Sequence, residues 1–149
     1  RVTAIYEGTN GIQAMDLVGR KLMDGGEAAF ALIDEMQAAA EAARGALPEL
    51  AESVWQATES LREATDWMLA QDDMTQRFAG AIPYLRGFAR ILGAHFHLMA
   101  AQAEGGDGAR TRLARFFITR LLPEHAGHLA HATAGAADLY ALTPSDFAA

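Results

Sequence analysis

Apolar residues recur along this chain at helical spacing, and no segment alternates with period two for long enough to make a strand. The clearest run is Leu50, Val54, Ala57, Leu61, Ala64 and Met68, with spacings that alternate between four and three. That rhythm keeps one helix face turned toward a nearly antiparallel neighbour. It predicts a helix over about 48–71, with Pro48 in the first turn, where a missing N–H has no intrahelical partner to lose. Upstream, Phe30, Ile33 and Met36 or Gln37 predict a helix over about 27–45 that stops at Gly45. Downstream, two adjacent stripes share about 73–103. Phe78, Ile82, Leu85, Ala89, Leu92, Phe96 and Met99 form one, and Tyr84, Phe88, Ile91, His95 and Leu98 form the other. A helix that is apolar over so wide an arc should be central. Pro83 inside it should kink it.

Glu104-Gly105-Gly106-Asp107-Gly108 is the clearest loop. A last helix is expected over about 109–142, with a stripe of Ile118, Leu122, His125, Leu129, Ala132, Ala136 and Leu139 and a kink or break at Pro123. At the front, Ile12, Met15 and Val18, with Ala14 and Leu17 beside them, predict a short helix over about 10–23. Thr9 or Asn10 suits its N-cap, which places Glu7 on the loop before it. The expected architecture is all-α: an up-down-up-down four-helix bundle preceded by one short helix. Asp24-Gly25-Gly26 is the best hinge, dividing residues 1–24 from an appended bundle of residues 25–149.

The composition narrows the classes. A chain of 149 residues is one domain's worth, and a domain of that size buries about 70% of its unfolded surface. Abundant Ala and scarce Pro favour helices. Zero Cys excludes disulfides and thiolate metal sites, and it suits a cytoplasmic protein. A formal charge of −7 argues against a nucleic-acid partner, because phosphate backbones call for clustered Lys and Arg. No apolar run is long enough for a transmembrane segment. The chain starts at Arg1 rather than Met, and we expect it to be the C-terminal part of a longer enzyme.

The stretch Ile5-Tyr6-Glu7-Gly8-Thr9-Asn10-Gly11-Ile12-Gln13 carries the candidate chemistry. Tyr6-Glu7-Gly8-Thr9, with Ile12-Gln13 after it, resembles the catalytic segment of the flavin-dependent acyl-CoA dehydrogenases. The wider run from Arg1 to Leu22 is similar to the long members of that family, in the branch related to 3-methylmercaptopropionyl-CoA dehydrogenase, which carry an extra C-terminal helical domain. Ala114-Arg115-Phe116-Phe117 and Leu121-Leu122-Pro123 are weaker matches to that extra domain.

The resemblance implies an α,β-dehydrogenation of an acyl-CoA thioester to the trans-2-enoyl-CoA, with FAD as cofactor and an electron-transferring flavoprotein as electron acceptor. It implies Glu7 as the base that removes the α-proton, a task for a carboxylate held close and shielded from water. It implies Tyr6 and Gly8 lining the acyl site, and Thr9, with Asn10 as a weaker candidate, against the flavin's phosphates near a helix N-terminus. The family's Gln two residues after that Thr is Gly11 here, so that contact is not carried over. The parent is expected to be a dimer or tetramer. FAD and substrate are held mainly by earlier domains in this family, so the chain by itself is expected to bind neither and to be inactive. The other reading of the bundle is a non-catalytic module for subunit association or for covering the active site.

The remaining polar residues read more plainly. His125, His128 and His131 recur every third residue and drift about 60° per step around a helix, so they do not converge on a metal. Arg86 and Arg90, one turn apart, and Arg110, Arg112 and Arg115 read first as solvated faces paired with Glu and Asp. A phosphate site is the other reading of them. Trp55 and Trp67 lie off the Leu50–Met68 stripe, on a second core face or at a contact with another body.

Overall fold

A computed structural model of the chain describes residues 8–147. The elements are α1 (Gly8–Asp16), a π-helical turn (Leu17–Lys21), α2 (Glu27–Ala43), α3 (Pro48–Ala70), α4 (Met74–Ala79), α5 (Ala81–Glu104), α6 (Ala109–Phe116), a second π-helical turn (Phe117–Leu121) and α7 (Glu124–Ala132). Two short 3₁₀ turns, Ala137–Tyr140 and Pro144–Phe147, follow. No strand occurs among the described residues.

Cross-helix pairs fix the directions. Arg62 donates to Asp34 at 2.6 Å while Arg44 bonds Glu52 near the opposite end, so α2 and α3 run antiparallel. Thr65 meets Tyr84 at 2.7 Å, which sets α5 antiparallel to α3. Arg90 bonds Glu124 at 2.5 Å, and a side chain at Gly80 would meet Ala132, so the α6–α7 arm runs back along α5. Helices α2, α3, α5 and the α6–α7 arm thus form the expected up-down-up-down bundle, with α5 touching all the others. The core contains Ile33, Met36, Leu50, Val54, Leu61, Met68, Tyr84, Ile91, Leu98, Ile118, Leu122 and Leu129. All six positions of the Leu50–Met68 stripe are buried.

The expected helix over 73–103 is instead two helices broken at Gly80. The break lets Pro83 fall in the first turn of α5, where its missing N–H removes no helical bond, so no kink is needed. Gly80 is also where α5 and α7 approach closely. A Cβ there would lie 2.1 Å from the Ala132 carbonyl oxygen.

The two apolar stripes of α5 are not equivalent. Tyr84, Ile91, His95 and Leu98 are buried, with Gly87, Ala94 and Ala101 beside them. Ile82, Phe96 and Met99 are exposed, and Leu85 and Leu92 are half-buried. Small residues at Gly87, Ala94 and Ala101 let the neighbouring backbones approach, and that closeness decides which stripe turns inward.

The expected helix over 109–142 is interrupted at Pro123 as foreseen, and its end is corrected. It widens into the π-helical turn, closed by the Leu122 N–H donating to the Phe117 oxygen at 2.9 Å, one residue further back than in an α-helix. Pro123 is the cause. Its ring would clash with the preceding turn of a regular helix, so the arm opens there and restarts as α7. The helix then ends at Ala132, and Leu139 is exposed.

Both Trp residues pack partly buried against the core. The Arg44 guanidinium lies 5.9 Å from the Trp55 ring centroid.

Candidate functional site

The candidate site is the entry to α1. Helix α1 begins at Gly8, so Thr9 and Asn10 sit exposed in its first turn rather than capping it as expected. Tyr6 and Glu7 lie outside the described residues. The first turn of α1 contains no acidic residue. A helix N-terminus carries the positive end of the backbone dipole, which favours an anion nearby.

What aims this entry is the packing of α1. Ala14, Val18 and Leu22, spaced one turn apart, are buried, and α1 packs on α5. The expected face Ile12–Met15–Val18 is only partly the buried one, since Ile12 and Met15 stand in solvent. Small Ala14 draws α1 close to α5. The π-helical turn at Leu17–Lys21 resets the helical phase, so that Leu22 follows Val18 inward.

The far end of this helix packs on α4 and carries an ion pair of its own. A Cβ at Gly19 would lie 3.2 Å from Phe78, so α1 passes close over α4. Arg20 donates to Asp16 at 2.5 Å, and that bond holds the Asp16 carboxyl below its ordinary value. In the turn that follows, Gly25 and Gly26 adopt φ of 76° and 81°, open to glycine at little strain. Asp24 accepts from Gly26 N at 2.8 Å and Ala28 N at 3.1 Å, which caps α2.

Elsewhere the polar residues are mostly structural. His125 Nδ1 lies 2.6 Å from the Leu122 oxygen, and His97 stacks on Phe117 with centroids 4.5 Å apart. No group of three His, Cys, Asp or Glu among the described residues could hold a metal ion. Arg115 approaches Glu49 at 3.7 Å, and Arg90 pairs with Glu124. A groove of about 450 Å³ runs between α3 and the α6–α7 elbow, lined in part by Ser53, Gln56, Thr119 and His125. Sequence reasoning missed it: Pro123 marks the disturbance in the arm, but no spacing rule brings Ser53 and Gln56 of α3 opposite it. No helix among the described residues is long and apolar enough to cross a membrane.

Comparison with known proteins places these features in context. The family described as "Acetyl-CoA dehydrogenase C-terminal like" matches residues 32–143. The 3-methylmercaptopropionyl-CoA dehydrogenase of Ruegeria pomeroyi is 32% identical over 142 residues, covering 83% of this chain and 24% of that protein. The chain thus spans about a quarter of the length of this curated relative. No solved structure matches.

Proposed function

Since this chain belongs to the acetyl-CoA dehydrogenase C-terminal-like family, we propose that it is the C-terminal part of a flavin-dependent acyl-CoA dehydrogenase. The proposed reaction converts an acyl-CoA thioester to its trans-2-enoyl-CoA. The observation that carries this reading is the family match over residues 32–143, standing directly behind the Tyr6-Glu7-Gly8-Thr9 segment at the entry to α1. Residues 1–24 would complete the catalytic helical domain, and residues 25–149 would be the appended bundle.

In this reading Glu7 removes the α-proton. A carboxylate docked against an acyl site and shielded from water has the raised basicity the step needs. Gly8 carries no side chain to crowd the thioester, and Tyr6 walls the acyl group. Thr9 and Asn10, in a first turn free of acids, suit contact with the phosphates of FAD. FAD would supply the acceptor for the hydride leaving Cβ, and an electron-transferring flavoprotein would reoxidise the enzyme. The parent would be a cytoplasmic homo-oligomer. Without the rest of the enzyme, the entry to α1 would hold neither FAD nor acyl-CoA, and the chain would not catalyse the reaction.

The experiment is Glu7→Gln in the longer polypeptide that contains this chain. Bound FAD should be retained while bleaching of the flavin by acyl-CoA is lost. Bleaching at the normal rate would refute the assignment of Glu7. A second reading, a helical module for subunit association, is favoured by Ile12, Met15, Ile82, Phe96 and Met99, all exposed on α1 and α5. Sedimentation of the chain across a concentration series separates the two, since a strict monomer at all concentrations counts against association through this face.

A further inference from the structure

We propose that the cleft between α5 and the α6–α7 elbow binds an organic diphosphate of the nucleotide class. The cleft has a volume of about 270 Å³ and is lined by Arg86, Ala89, Arg90, Phe117 and His128. Two helices and a π-helical turn are needed to build it. Arg86 and Arg90 stand one turn apart on α5 and so share a face. His128 comes from α7, and Phe117 from the turn that Pro123 forces open.

Glycines frame the cleft at both ends. A Cβ at Gly87 would lie 2.6 Å from the Leu129 side chain, and one at Gly93 would lie 2.9 Å from the Phe117 ring. The arm therefore touches α5 above and below, and the small side chain of Ala89 leaves the space between. A recess bounded along α5 by these two contacts and open outward to solvent suits a compact ligand better than an extended acidic peptide.

The charge balance is the second argument. Arg86 makes no ion pair or hydrogen bond among the described residues. Arg90 is held at the rim by Glu124 at 2.5 Å. Two guanidinium groups against one carboxylate leave a local positive excess in a chain whose formal net charge is −7. An arginine with no internal partner, set on a rigid helix at a concave site beside a second arginine, matches the forked geometry of phosphate oxygens. Ala89 and the half-buried Phe117 offer an apolar wall for the rest of the ligand. None of this depends on the dehydrogenase reading.

The experiment titrates the chain with ADP and with inorganic pyrophosphate at low ionic strength. Heat is followed by calorimetry, and the His128 side-chain signals by NMR. Both probes should bind saturably and shift His128, and tighter binding of ADP would mean that the wall near Phe117 contributes. Arg86→Gln should weaken binding about tenfold or more, the order expected for removing one charge near a phosphate. Glu124→Gln should tighten it severalfold, because it frees Arg90. Arg112→Gln, outside the cleft, should change it less than about twofold. Circular dichroism on each variant confirms that the fold is retained. The proposal is overturned by absent binding, by equal binding in Arg86→Gln and the parent chain, by an Arg112→Gln loss as large as that of Arg86→Gln, or by a hexaglutamate peptide competing as well as pyrophosphate.

Discussion

The hydroxyls of Thr65 and Tyr84 meet at 2.7 Å in the centre of the bundle, with both residues at 0% exposure. Thr65 donates to the Leu61 oxygen at 2.7 Å, so the proton between the two hydroxyls belongs to Tyr84. The two ends of this link are therefore unequal. Tyr84→Phe leaves Thr65 still donating to Leu61 and should cost about 0.5–1.5 kcal/mol. Thr65→Val strands a buried phenol donor and should cost about 1–3 kcal/mol. Urea unfolding of the two variants checks the order.

Alkaline pH should act on the same pair. Burial pushes the Tyr84 phenol up from its ordinary 10.0 to about 12, and the bond to Thr65 offsets this only in part. The folded state therefore holds the proton more tightly than the unfolded chain does. Stability is fully present below pH 10.0 and is lost as pH rises toward 12. Tyr84→Phe should flatten that decline in a pH series of unfolding free energies.

His95 sets the opposite limit. It is 1% exposed, and its Nδ1 has no hydrogen-bond partner among the described residues. Burial holds the imidazole below its ordinary 6.5, and the charge of Glu35 opposes this only in part. The unfolded chain takes up the proton first as pH falls. Stability is thus complete above pH 6.5 and declines below it, by at most about 1.4 kcal/mol per pH unit. His95→Leu should remove most of the slope between pH 6.5 and 5, which chemical denaturation at several pH values would measure.

Gly80→Ala sets propensity against space. Alanine favours a helix by under about 1 kcal/mol over glycine. Its Cβ would lie 2.1 Å from the Ala132 oxygen, and that backbone has to move. Overpacking of this kind costs about 1–3 kcal/mol, so a lower melting temperature is expected.

The two stripes of α5 should respond differently to truncation. Leu98→Ala, in the core, should cost about 2–5 kcal/mol. Phe96→Ser and Met99→Ser, on the exposed stripe, should each fall within about 0.5 kcal/mol of the parent chain.

These stripes also mark how far the fold could be read from sequence. The Leu50–Met68 run was legible because it is the one apolar line on its helix, with Pro48 marking its start. On α5 both lines are apolar, and the choice between them rests on Gly87, Ala94 and Ala101, which a count of large side chains passes over. Likewise Ala14 and Leu22, not Ile12 and Met15, seat α1. Pro83 and Pro123 were visible as disturbances, but their outcomes differ. A glycine lay upstream to absorb the first, whereas the second had to be absorbed by widening the helix. At the candidate site the Thr9–Asn10 segment was legible as helix entry but was assigned to the cap instead of the first turn. The cleft at Arg86 and Arg90 needed His128 and Phe117 from distant parts of the chain, and no spacing rule brings these together.

Seating α1 along α5 has a mechanical consequence. The direction of α1 from Gly8 onward is set by side chains far later in the chain, because Ala14, Val18 and Leu22 act as a keel in the bundle. Any tilt of α5 is handed to Thr9 and Asn10 as a rotation about that keel. A distant core substitution can therefore misalign this entry without touching a residue near it.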